Sequence, residues 1–157
     1  MDTLILPTPD ATEALAARLA PALRGGDVLL LEGPIGAGKT HFARALIGAL
    51  QRAAGQTPED VPSPSYTLVQ EYAAGGLEIW HADLYRLACA SELAELGLEA
   101  AMGRALVLIE WPERMGTPPP QALTLCLAPI EGADEARALT LRPAGPRGAD
   151  LARVARG

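Results

Sequence analysis

The sequence predicts an α/β fold, and three observations carry that prediction. Val28–Leu31 and Leu106–Ile109 are unbroken apolar runs, the pattern of strands buried on both faces. The first run leads through a glycine-rich turn, Gly33–Gly38, into a segment with Phe42, Leu46, Ile47 and Leu50 at helical spacing. The length of 157 residues argues for one domain over 1–157, with enough aliphatic material for a core.

The other elements follow in chain order. Thr3–Leu6 reads as a short opening strand. Asp10 is a candidate N-cap with Glu13 as its capping-box partner, and Leu15, Leu19 and Leu23 make one apolar helix stripe. Pro21 is expected to kink or shorten the last turn of that helix. Arg24–Asp27 is a turn, and the polar, proline-rich stretch from Gln56 to Pro64 is a loop. Tyr66–Tyr72 and Leu77–Tyr85 read as strands joined by Ala73–Gly76, a hairpin. Ser91 opens a short helical stretch through Leu96 and Leu98. Glu110 and Pro112 end the second buried strand. Leu123–Leu127 and Ala138–Leu141 suggest a closing strand pair. From Pro143 onward a loosely ordered tail is expected, with room for a short terminal helix.

Composition narrows the function classes. Hydrophobic residues make up 49% and aromatics 4%, which describes a compact aliphatic protein and excludes a disordered one. The net charge of −6 excludes the basic stripe of a protein that holds nucleic acid on its own, so any RNA is expected to be carried by another subunit. Cys89 and Cys126 fit no metal or redox spacing. With no signal peptide and no apolar run near ~20 residues, two reduced thiols in a cytoplasmic protein without membrane contact are expected.

Gly33-Pro34-Ile35-Gly36-Ala37-Gly38-Lys39-Thr40 matches G-x-x-x-x-G-K-[ST] in full, between a buried strand and a helix as the motif requires. Its glycines let backbone N–H groups converge on a phosphate, and the helix adds its positive N-terminal end. Lys39, the only lysine in the chain, would reach the β and γ phosphates, and the Thr40 hydroxyl would take a place on Mg²⁺. His41 follows within the same binding stretch.

Such a site needs carboxylates at the ends of neighbouring strands. Glu110 follows four apolar residues and is the cleaner match, and Asp83 ends the segment before Leu84-Tyr85-Arg86. A cap or an exposed strand-end acid is the plain alternative for each. His81 alone is more often a packed histidine than a ligand, Trp111 more often core than function, and Arg86 as readily a solvated arginine as a phosphate partner. Ser63-Pro64-Ser65-Tyr66-Thr67 is either a nucleotide-switch segment or an ordinary Ser/Pro loop.

GPIGAGKT, SPSYTLVQEY, HADLYRL, ELAELGLE and LVLIEWPE, in this order, resemble the TsaE (YjeE) family, the small bacterial ATPases of tRNA threonylcarbamoyladenosine biosynthesis. The resemblance covers roughly residues 5 to 142. It implies a three-layer P-loop NTPase-type fold, with a mostly parallel sheet and added antiparallel strands. It further implies Mg²⁺-dependent hydrolysis of ATP to ADP in the service of a TsaD–TsaB pair, which modifies adenosine 37 of tRNA, so that tRNA is met through the complex.

Carried over by position, Lys39 and Thr40 bind phosphate and Mg²⁺, and Glu110 is the metal-linked acid. Asp83 is the Walker-B-like acid or water activator; which of the two acids orients the water stays open. Thr67 resembles the switch threonine and Trp111 the tryptophan near the nucleotide. Ser65 departs from the family's usual threonine but keeps the hydroxyl. Two other classes compete. A small-metabolite kinase would need an arginine-bearing lid, and no arginine lies between Arg52 and Arg86; a typical GTPase needs N-K-x-D, and the chain has no asparagine. With no arginine finger evident in cis, the partner is expected to supply one or to order the switch segment.

Overall fold

The structure, a computed structural model, describes residues 2–157. Its strands are β1 (Asp2–Leu6), β2 (Val28–Glu32), β3 (Val69–Ala74), β4 (Leu77–Asp83), β5 (Leu106–Glu110), β6 (Leu123–Ile130) and β7 (Ala133–Pro143). Its helices are α1 (Pro9–Leu19), α2 (Lys39–Ala53), α3 (Ala90–Glu95), α4 (Leu98–Met102) and α5 (Gly145–Arg156). All seven strands form one sheet in the order β1-β7-β6-β2-β5-β4-β3. The pairs β6–β2, β2–β5 and β5–β4 are parallel, while β1–β7, β7–β6 and β4–β3 are antiparallel. Only β7 and β3 therefore run against the other five strands, which makes the sheet mostly parallel with antiparallel additions.

Alternation along the buried strands builds the layers. Leu29 and Leu31 of β2, with Leu106 and Leu108 of β5, pack on one face against α1, α2 and α5. Val28, Leu30, Val107 and Ile109 face the other way, toward α4. Successive strand residues point to opposite faces, so a run buried at every position needs a helix layer on each side. Phe42, Leu46 and Ile47 are fully buried and seat α2 beside β2; each such side chain contributes about 1.5–3 kcal/mol of burial. Among the described residues no helix is long and apolar enough to cross a membrane.

The structure corrects several sequence expectations. Helix α1 is capped two residues before Asp10, by Thr8, whose hydroxyl accepts from Ala11 N at 3.3 Å, with Pro9 in the first turn. Pro21 acts as expected: α1 ends at Leu19 and a 3₁₀ turn over Ala20–Ala22 follows. Strand β3 begins at Val69 and not at Tyr66, because Leu68 N donates to Pro64 O (2.7 Å) and Leu68 takes a left-handed φ of 67°. The helical stretch from Ser91 divides into α3 and α4 at Gly97, whose φ is 77°.

The tail after Pro143 is not loose. It forms α5, with Leu151, Ala152 and Ala155 buried against the core. Arg147 pins the start of α5 by a bidentate bond to Asp27, both contacts 2.7 Å, and Arg18 reaches Ala155 O (2.7 Å) at its end. The terminal helix for which the sequence leaves room is thus present and well packed; Asp27, the partner that pins its start, lies 120 residues away.

Candidate functional site

The C-terminal ends of the parallel strands β2, β5 and β4 open into a cleft of about 620 Å³, within the usual range for ligand sites. The turn after β2 forms one wall. Gly36 and Gly38 hold φ of 82° and 103°, values that side-chain-bearing residues rarely adopt. At Gly33 a β-carbon would sit 2.3 Å from Leu127 O, so β6 packs directly on the loop. Lys39 opens α2 and is 5% exposed. Its ammonium donates to Gly33 O and to Pro34 O (3.0 Å) and lies 4.1 Å from the Trp111 ring centroid. Burial lowers its pKa below the usual lysine value, and the charges of Glu110, Asp83 and Glu113 oppose that shift.

Opposite the loop, β4 and β5 place Asp83 and Glu110 side by side in register. The Thr40 hydroxyl lies 2.9 Å from both Glu110 carboxylate oxygens, and His81 Nε2 donates to Glu110 Oε2 at 2.7 Å. His81 is fully buried, and its Nδ1 is the one buried side-chain N or O atom without a hydrogen-bond partner among the described residues. An Nε2–H tautomer satisfies Glu110 and leaves Nδ1 without a proton to accommodate. Asp83 Oδ1 accepts from Tyr85 N (2.9 Å), and Oδ2 accepts from the Ser63 and Ser65 hydroxyls at 3.3 and 3.2 Å. Leu68 and Trp111, the two non-glycine residues with positive φ among those described, stand beside β3 and β5 at this end of the sheet. Conformations of this kind concentrate where surrounding contacts over-determine the backbone.

Among the described residues no group of three or more His, Cys, Asp and Glu side chains could hold a metal by itself. Thr40 with Glu110 instead suits Mg²⁺, a cation that takes one or two protein ligands and completes its shell with phosphates and water.

The family model described as threonylcarbamoyl adenosine biosynthesis protein TsaE matches residues 6–138. The chain belongs to the TsaE family. A relative in Rickettsia felis, named tRNA threonylcarbamoyladenosine biosynthesis protein TsaE, is 41% identical over 119 residues, covering 74% of this chain and 67% of that protein. The Bacillus subtilis protein of the same name is 36% identical over 140 residues, covering 88% and 84%. A crystal structure of Bacillus subtilis YdiB superposes with a TM-score of 0.79 at 29% identity, over 99% of this chain and 93% of that one. The TsaE family fold, a three-layer α/β arrangement with a mostly parallel sheet, is thereby shared.

Against this TsaE frame, Ile35, Gly36, Ala37, Gly38, Lys39, Thr40, His41, Asp83, Glu110 and Trp111 line one cleft. Gly33 and Pro34 stand behind them, their carbonyls held by Lys39. His41 Nε2 touches Pro9 O (3.3 Å) and Glu13 (3.6 Å), tying the cradle to α1. Thr67 stands apart: it is exposed and its hydroxyl accepts from Gln70 (3.0 Å), while Ser63 and Ser65 line the cleft. Arg86 lies 4.5 Å over the Tyr66 ring. Three contributors were not singled out as site residues from sequence. His81 had a signal, since residues two apart on a strand share a face and Asp83 follows it. Tyr85 had a weaker one. Arg137, on β7, had none.

Proposed function

We propose that this protein is the Mg²⁺-dependent, ATP-hydrolysing subunit of the threonylcarbamoyladenosine machinery for tRNA, acting in the cytoplasm with a TsaD–TsaB pair. The observation that carries the reading is the junction of Thr40 with Glu110 at 2.9 Å, directly beside the glycine-rich loop whose carbonyls hold Lys39. Membership of the TsaE family supports the tRNA modification context.

In this reading the cradle N–H groups and Lys39 bind the β and γ phosphates of ATP, and Lys39 leaves the Gly33 and Pro34 carbonyls to do so. Thr40 donates its hydroxyl proton to Glu110, which leaves its oxygen lone pairs for the cation. Mg²⁺, when bound, supplies neutralisation of the charge that develops on the transferring phosphoryl group. Glu110, held by His81 and Thr40, fixes the metal-side geometry. Asp83, fed by two serine hydroxyls and a backbone N–H, is left with the task of orienting water. Thr67 can act as a switch threonine only by leaving Gln70. Trp111 borders the nucleotide beside Lys39.

The test is ATP hydrolysis by the protein alone and with its TsaD–TsaB pair, with Lys39→Ala as control. The expected outcome is slow turnover alone and strong, Lys39-dependent stimulation in the mixture. Nucleotide binding without stimulation would remove the partner assignment. Glu110→Ala is expected to lower Mg²⁺-dependent hydrolysis more than nucleotide binding.

A further inference from the structure

Arg137 projects from β7 to the phosphate-binding loop. On its strand it stands opposite Leu6 of β1 and Pro129 of β6, beside the register shift at Pro129/Ile130. Its Nε donates to Ala37 O at 3.0 Å and its Nη2 to Gly36 O at 3.2 Å; Nη1 is occupied by Ala136 O (2.8 Å) and Asp134 O (2.9 Å). All four acceptors are main-chain carbonyls. Among the described residues no carboxylate forms an ion pair with this guanidinium, so its charge stands at the lip of the cleft, which it also lines.

The two loop carbonyls matter because of what is bonded to them. In a trans peptide the N–H points opposite to the C=O, and the structure contains no cis bond among the described residues. Holding Ala37 O on the β7 side therefore sets the direction of the Gly38 N–H, while the Ala37 N–H, opposite Gly36 O, is turned onto Pro34 O at 3.1 Å within the loop. A charged donor on a carbonyl also polarises the peptide and makes its N–H a stronger donor. Gly36 and Gly38, with their permissive φ, cannot set these planes by themselves.

We propose that Arg137 is a positioning residue for phosphate binding, a fork from the antiparallel part of the sheet that fixes and polarises the loop from behind. The proposal rests on the nucleotide reading of the cleft. A lysine at this position restores the charge but presents a single ammonium where the fork spans two carbonyls.

The test compares Arg137→Ala and Arg137→Lys with the unaltered protein by calorimetric titration with ADP and Mg²⁺, by hydrogen exchange of residues 34–40 without nucleotide, and by thermal unfolding. Arg137→Ala should weaken ADP binding roughly tenfold or more, the range for hydrogen bonds to charged groups. It should speed exchange in residues 34–40 while leaving the unfolding midpoint within a few degrees, and Arg137→Lys should recover part of the affinity. ADP affinity within twofold of the unaltered protein in Arg137→Ala would overturn the proposal, as would an affinity loss that tracks a general loss of stability. Lys39→Ala separates the two readings. If the unaltered protein binds no ADP, or Lys39→Ala binds it equally well, the nucleotide reading itself fails.

Discussion

Replacing His81 with leucine should raise the Mg²⁺ concentration needed for nucleotide binding without touching metal-free binding. The His81 Nε2–Glu110 Oε2 contact is 2.7 Å, between side chains 0% and 3% exposed. A hydrogen bond to a charged group contributes about 1.5–3 kcal/mol net, which is roughly ten- to 150-fold in an equilibrium constant. That loss falls on Glu110, and Glu110 touches the cradle through Thr40 alone among its side-chain bonds. The loop N–H groups and Lys39 are unaltered, so ADP should bind in EDTA as before. The assay is binding of a fluorescent ADP analogue at a series of Mg²⁺ concentrations, with circular dichroism confirming the fold. His81→Gln keeps a side-chain N–H near the same place and should recover most of the effect. An unchanged Mg²⁺ midpoint in a folded His81→Leu protein would refute the claim that His81 positions Glu110.

Three further outcomes can be checked independently. Arg147→Met leaves Asp27, 4% exposed, without its bidentate partner and should cost about 3 kcal/mol in urea unfolding; a loss under ~1 kcal/mol, the scale of a surface pair, would mean that the Asp27 pair does not hold α5. In iodoacetamide at pH 8, Cys89 should react well before Cys126. Cys89 is exposed and a hydrogen bond from Ser91 lowers its pKa, whereas burial pushes Cys126 up to about 11, leaving it a neutral thiol; equal rates would contradict this. Because Lys39 rests on Trp111 at 4.1 Å, ADP with Mg²⁺ should change tryptophan emission in Trp80→Phe protein but not in Trp111→Phe protein. The same change in both would place Lys39 elsewhere.

Much of the site was legible because its chemistry follows chain order. The cradle is contiguous, Glu110 ends an unbroken apolar run and Asp83 ends a strand-like segment, so strand ends could be read as site positions. Their mutual relation was not legible, since it depends on the register that sets Asp83 opposite Glu110. The segment 63–67 shows the limit more sharply: the turn at Leu68 leaves Thr67 outside and brings Ser63 and Ser65 to Asp83. Arg137 and Arg147 act on residues 100 or more positions away, through packing that no local pattern encodes. The extent of β6 and β7 was underestimated because the inward–outward alternation stops at Leu127 and begins again only near Leu139, while backbone pairing carries the strands on through exposed residues.

The strand order also dictates when this protein can assemble during synthesis. The cradle strand β2 leaves the ribosome ahead of both of its sheet neighbours, β5 and β6, which lie more than 70 residues downstream. Asp2 waits for Leu141, and Asp27 waits for Arg147. The apolar strands β1 and β2 are thus unpaired until β5, β6 and β7 are made, the condition under which nascent proteins depend on chaperones.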